Sequence, residues 1–316
     1  MRQFIRPLSV ATAIGMFIVV VMGATVTNTN SAEGCGRSWP LCHGQLIPEF
    51  AVSTFIEFSH RAVTGVESAL VIATAVGAWA LYRRSREIRV LAPLMVGFLF
   101  LQAGMGAWAV LYPQTPLIIA LHFGISLVAF ASAVLMAVVI RSTEVGDPLR
   151  ARRVSDPYPR VVWGLLLYSL VVVYLGAYIR HVGYDLACTG WPLCNGSLFP
   201  GFSGPSGIAF AHRLAALGLI LLIGIVVAWS WAMRAERPDL ARGAGLALGL
   251  VLLQSASGAL VVATGLGLWS ALSHAGIMAL LFASISYLAL RVLPETMTVS
   301  DSRFAVTSAS LIQKGW

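Results

Sequence analysis

Long apolar stretches without a charge set the pattern of this chain. Residues 7–32 form a run of 26 and residues 161–179 a run of 19, while residues 90–140 and 243–290 form runs of 51 and 48. A bilayer-spanning helix takes about 20 apolar residues, so the shorter runs predict one helix each and the longer ones a helical hairpin each. Tyr112-Pro113-Gln114-Thr115-Pro116 and Thr264-Gly265-Leu266-Gly267 mark the two hairpin turns, because proline and glycine clusters interrupt helices. Residues 55–82 and about 208–233 predict two further spans with a few charges in their first turns. The apolar positions are continuous rather than alternating, which speaks against barrel strands. The expected fold class is therefore all-α integral membrane, with eight transmembrane helices.

The pattern is also written twice. Trp39-Pro40-Leu41-Cys42 returns as Trp191-Pro192-Leu193-Cys194 at an offset of 152, which also relates His60-Arg61 to His212-Arg213, Gln102 to Gln254, Gly106 to Gly258 and His122 to His274. Upstream the offset is 153, matching Gly23-Ala24 to Gly176-Ala177 and Cys35 to Cys188, so the second cysteine pair is one residue closer. Each half has four helices, an even number, so the halves run in the same sense as two parallel-repeat four-helix bundles, unlike inverted-repeat transporters. The expected division is an N-terminal half (1–145), a linker rich in Arg, Asp and Pro (146–160), a C-terminal half (161–293) and a tail (294–316). The first 30 residues read as a span rather than a cleaved signal, because they have a counterpart in the second half.

Composition sharpens this reading. With 58% hydrophobic and 11% charged residues, the chain lies far below the quarter of charged residues usual in soluble domains, which excludes a water-soluble enzyme. Of the 21 Lys and Arg, all but Arg37, Arg61, Arg180 and Arg213 fall on the two ends and the 83–89, 141–160 and 234–242 connections. The positive-inside rule then places both termini in the cytoplasm, in a multi-pass protein of the plasma membrane. The net charge of +8 is a topological signal, and no nucleic-acid partner is expected.

Four of the six histidines lie on the repeat: His60 and His122 are 62 residues apart, as are His212 and His274. Each half thus presents two imidazoles at similar depth on two helices, where four-helix bundles hold cofactors, and imidazole is a common axial ligand of haem iron. The plainer reading is a hydrogen bond to a neighbouring helix, but a repeated pair of ionisable groups inside a membrane favours ligands. Neither half offers the further ligands zinc would need, and no Cys-x-x-Cys-His motif is present for covalent attachment, so a non-covalent b-type haem in each half fits the pairs. His43 and His181 read as loop residues. Arg37, Arg61, Arg180 and Arg213 are candidates for haem propionates, with interfacial snorkelling as the alternative.

The halves differ in their acids. Glu57 corresponds to Ala209 and lies one turn before His60, which makes it a candidate catalytic acid–base group, with a salt bridge to Arg61 as the alternative. Glu67, opposite Leu219, either feeds protons or bonds to a neighbouring helix. Gln102 and Gln254 read as interhelical hydrogen-bonding groups. Cys35 with Cys42, and Cys188 with Cys194, read as two disulfides on the oxidising side, either as structural staples or, for the first pair, with a redox role.

The segments from Gly34 to Gly44 and from Glu57 to Arg61, with Leu121-His122-Phe123-Gly124, Tyr178-Ile179-Arg180-His181 and Ala211-His212-Arg213, resemble the haem A synthase family of the bacterial type with cysteine pairs in both outer loops. The similarity covers positions 8 to 291. It implies an oxidoreductase that converts the C8 methyl of haem O to a formyl group by successive hydroxylations. His60 and His122 would flank the substrate haem, Glu57 would be the acid–base or cation-stabilising group, and His212 and His274 would ligate a resident haem b that relays electrons. Implied partners are the haem O substrate, the lipid bilayer that carries it, a protohaem farnesyltransferase and cytochrome oxidase assembly factors. Two other readings stand beside it, a quinol-linked di-haem b electron-transfer cytochrome and a haem transporter.

Overall fold

The computed structural model describes residues 2–112, 114–146 and 154–293. Pro113, Arg150, Arg152, Arg153 and the 294–316 tail, all used in the sequence reading, lie outside the described residues. Among those described there are eight helices and no strand: α1 (Arg2–Asn28), α2 (Val52–Tyr82), α3 (Arg86–Leu111), α4 (Pro116–Val145), α5 (Tyr158–His181), α6 (Gly204–Ala232), α7 (Pro238–Ala263) and α8 (Leu268–Arg291). All are apolar enough to cross a membrane, and the shortest has 24 residues, about 36 Å at the helical rise and enough for a hydrocarbon core. Prolines in the first turns of α4, α5, α6 and α7 start those helices without sacrificing an internal hydrogen bond. Gly146 in the left-handed region stops α4.

In each half the four helices close a ring in chain order, α1–α2–α3–α4 and α5–α6–α7–α8, and the halves meet through α1, α4, α5 and α8. Lipid tails give no hydrophobic drive between helices, so close approach rests on small residues. Gly124 of α4 faces Tyr174 of α5, where an added Cβ would come within 2.2 Å of the ring. At the repeat positions, Gly276 of α8 faces Phe17 and Val21 of α1. The α4–α5 and α8–α1 seams are therefore equivalent, related by an axis between the halves. Away from the seams, side chains such as Phe100, Leu167 and Leu221 point outward and are exposed, as lipid-facing positions must be.

The segments 29–51 and 182–203 cover the same end of the two bundles, and each is closed by a disulfide, Cys35–Cys42 and Cys188–Cys194, with Cα separations of 4.5 and 4.6 Å. Each then turns through a left-handed pair, His43-Gly44 or Asn195-Gly196.

Candidate haem pockets under the disulfide lids

Each repeat histidine is seated against a glycine of the neighbouring helix. His60 of α2 lies against Gly23 of α1, where an added Cβ would stand 3.4 Å from Cε1, and His122 of α4 lies against Gly106 of α3 at 3.5 Å. In the second half His212 of α6 meets Gly176 of α5 at 2.8 Å, and His274 of α8 meets Gly258 of α7 at 3.2 Å. These glycines occupy repeat positions, so all four imidazoles share one packing solution: a helix without a side chain lets a ring lie flush against its backbone. Within each half the helices that carry the two imidazoles, α2 with α4 and α6 with α8, belong to one four-helix ring. The Nδ1 atoms of His60, His122 and His212 are buried with no hydrogen-bond partner, and buried polar atoms rarely go unpartnered. Three of the four imidazoles thus keep a nitrogen unspent on the protein, and two imidazoles per bundle are a donor set that fits haem iron. Among the described residues no group of three or more His, Cys, Asp or Glu is placed to hold a metal ion by itself.

His274 differs. Its Nδ1 is 2.9 Å from Ser257 Oγ and its Nε2 is 3.1 Å from Gln254 Nε2. The Ser257 hydroxyl already donates to the Gln254 carbonyl, so Ser257 Oγ accepts from Nδ1–H, and the lone pair of the ring is on Nε2. This tautomer follows from the network, and it is the form a metal-ligating imidazole needs. The repeat counterpart of Ser257 is Met105, so His122 has no such anchor. Gln254 thus makes the interhelical hydrogen bond expected of it, with His274 as partner, while Gln102 is buried in α3.

Glu57 is 4% exposed and is occupied by the lid. One oxygen accepts the Cys35 N–H at 2.8 Å and the other is ion-paired with Arg61, so the salt bridge weighed as the alternative is present. Arg61 also donates to the carbonyls of Ser38 at 2.7 Å and Leu41 at 3.0 Å. Arg213 repeats this on the second lid, donating to Leu193 O and Cys188 O, both at 2.9 Å. Both arginines thus hold lids rather than reach freely into the bundles. Arg180 links the halves, donating to Asn28 Oδ1 of α1 at 3.2 Å and to Asp185 at 3.4 Å. Burial pushes the Asp185 carboxyl above the ordinary carboxylate range despite Arg180 beside it. Arg37 is exposed and lines a cleft with Glu33, Tyr112 and Gln114.

Further side chains pin the lids. Thr54 Oγ1 donates to Gly34 O at 2.7 Å, and His43 Nε2 is 3.0 Å from the same oxygen. On the second lid Ser206 Oγ and Asn195 Nδ2 reach the equivalent Ala187 O at 2.9 and 3.0 Å. His43 is thus a loop residue, as expected. His181 is not: it is the last residue of α5. The charge at Arg180 had marked the end of that span, but an arginine in a last helical turn complements the carbonyl end and the helix continues through it.

Residues 6–286 match the protein family described as cytochrome oxidase assembly protein, COX15-CtaA. Curated relatives named haem A synthase include one from Symbiobacterium thermophilum, 42% identical over 94% of this chain and 99% of its own length. One from Halalkalibacterium halodurans is 41% identical over 91% of this chain and 97% of its own length. One from Listeria monocytogenes is 41% identical over 92% and 96%.

Proposed function

The chain belongs to the COX15-CtaA family of cytochrome oxidase assembly proteins, and on that premise we propose that it converts haem O to haem A, oxidising the C8 methyl to a formyl group by successive hydroxylations. The observation that carries the assignment of halves is the pairing of like seats with unlike surroundings. Four glycine-backed histidines form two like pairs, but α2 carries buried Glu57 and Glu67 where α6 has Ala209 and Leu219. In this reading His60 and His122 receive the substrate haem. His212 and His274 hold a resident haem b, which when bound supplies one-electron transfer. Ser257 fixes the His274 ring so that Nε2 offers its lone pair, and Gly176 sets the His212 ring against α5.

Glu57 is the acid–base group of the first pocket, one turn from His60 on a helix whose counterpart has alanine there. Arg61 keeps that carboxylate placed, and the pair ties the disulfide lid to α2 so that lid and pocket move as a unit. The spare donors of Arg37, Arg61, Arg180 and Arg213 suit propionates at the outer edge. Haem O bears a long isoprenoid tail, and each buried methylene holds it in lipid by about 0.8 kcal/mol. Entry between helices from the bilayer therefore costs less than entry through water. We place both termini in the cytoplasm and the protein in the plasma membrane, with a protohaem farnesyltransferase as supplier and oxidase assembly factors as recipients.

The test is co-expression with a protohaem farnesyltransferase, followed by extraction and mass analysis of the haems. Formyl haem above the level of cells lacking this chain is expected, and haem O alone overturns the proposal. The engagement of both Glu57 oxygens, one by the Cys35 N–H of the lid and one by Arg61, favours one other reading, a di-haem b electron carrier in which Glu57 is purely structural. That reading predicts no formyl haem in the same experiment.

A further inference from the structure

The seam between α1 and α2 carries polar side chains that the matching seam of the second half lacks. Inward from His60, α2 presents Thr64, Glu67, Ser68 and Thr74, and α1 adds Thr12. At the repeat positions stand Ala216, Leu219, Ile220, Val226 and Leu165. The α2 residues follow His60 by 4, 7, 8 and 14 positions, which keeps them on one helix face. Thr64 Oγ1 donates to His60 O and Ser68 Oγ to Thr64 O, each at 2.7 Å. Further in, the buried hydroxyls of Thr12 and Thr74 are 2.8 Å apart.

Glu67 is the centre of this stripe. It is 3% exposed, its Oε1 has no hydrogen-bond partner, and among the described residues it forms no ion pair. The opposing helix makes room for it: an added Cβ at Gly15 would lie 1.8 Å from Oε2. In the second half Gly15 is replaced by Tyr168, whose hydroxyl donates to Ala215 O at 3.0 Å. The glycine–glutamate and tyrosine–leucine combinations are thus alternatives at one place. Packing does not account for the acid, since Leu219 is buried at the same position without one. A carboxyl without a counter-ion inside a membrane is costly, and such groups serve proton relays. Beyond Thr12 the same face of α1 carries Ser9, whose hydroxyl is turned to Arg6 O at 2.8 Å, and then Ile5, which packs against Gly77. The stripe thus lies on the His60 side of the Ile5–Gly77 contact.

We propose that Glu67 is an internal proton-exchange site serving the His60–His122 pocket, reached through the hydroxyls of Thr64 and Ser68 and bridging water. The step moves a proton alone: the carboxyl O–H bond breaks as one forms on an acceptor in the pocket, and the reverse restores it. The use of that proton rests on the haem O reading, whereas the exchange itself does not.

The test is infrared difference spectroscopy of the full-length protein in lipid, with and without added haem O, on wild type, Glu67→Gln and Glu67→Leu. A carboxylic C=O band that shifts in D2O, moves on adding haem O and is missing from both variants is expected. Conversion should fall about tenfold or more in both, with an unchanged b-type spectrum showing that they fold. A wild type without that band, a band insensitive to D2O, or wild-type conversion in Glu67→Gln would overturn the proposal. A wild type that makes no haem A but keeps the responsive band sinks the haem O reading and leaves the Glu67 assignment standing.

Discussion

The two bundles share a scaffold and differ in what surrounds the imidazoles. In the second, Ser257 holds His274 through Nδ1, His212 Nδ1 is unpartnered, and Leu219 with Tyr168 stands where the first half has Glu67 with Gly15. In the first, both Nδ1 atoms are unpartnered, Glu57 lies one turn away, and a polar stripe descends past Glu67. A pocket that keeps a permanent group benefits from rings fixed in advance, because second-layer hydrogen bonds raise affinity and set the tautomer. A pocket that must admit, alter and release its occupant benefits from unspent nitrogens and nearby proton carriers. The repeat keeps the glycine-backed seats, and the halves differ at the positions around them.

That contrast can be broken most directly at the histidines. His212→Ala should abolish the b-type absorption spectrum of the purified protein. His60→Ala should keep that spectrum and abolish formyl haem in extracted pigments, and loss of the spectrum in both would erase the division of labour. Next in size, Glu57→Ala should lower conversion by about 10² or more with resident haem unchanged. Glu57→Gln keeps an oxygen for the Cys35 N–H, so an equal loss there separates proton chemistry from lid anchoring.

The glycine seats give a smaller and unequal effect. Gly176→Ala puts a Cβ 2.8 Å from the His212 ring, whereas Gly23→Ala leaves 3.4 Å to His60. Overpacking of this kind costs about 1–3 kcal/mol, so haem b affinity, measured by titrating the apoprotein, should fall tens of fold in the first variant, whereas the second, at the substrate pocket, should leave haem b affinity unchanged and lower conversion only slightly. Smallest, Ser257→Ala should weaken haem b binding about tenfold in the same titration. Met105→Ala, at the matching place, should leave it unchanged.

Helix number and the repeat were legible because they depend on hydropathy and identity alone. Helix ends were less so: the charge-free run began only after Arg242, yet α7 starts at Pro238 with Asp239 in its first turn, where an acid favours the amino end. The histidine pairs could be read from spacing, but their glycines could not be given a role, since which ring meets which backbone is decided by helix packing. Ser257 was hidden because its counterpart is methionine and the repeat does not flag it. Glu57 was visible as an oddity, while its Cys35 partner depended on the path of the lid. Arg61 and Arg213 were read towards propionates because spacing does not show which loop carbonyls lie within reach.

The equivalence of the α4–α5 and α8–α1 seams has a consequence for ancestry. A surface that a half offers to its sister is the surface it would offer to an identical copy, the self-complementary contact of a two-fold dimer. Gly124 with Tyr174 and Gly276 with Val21 preserve that contact within one chain. Within one chain the two sides of that contact need not stay identical, so residues elsewhere in each half can differ while the seam is kept.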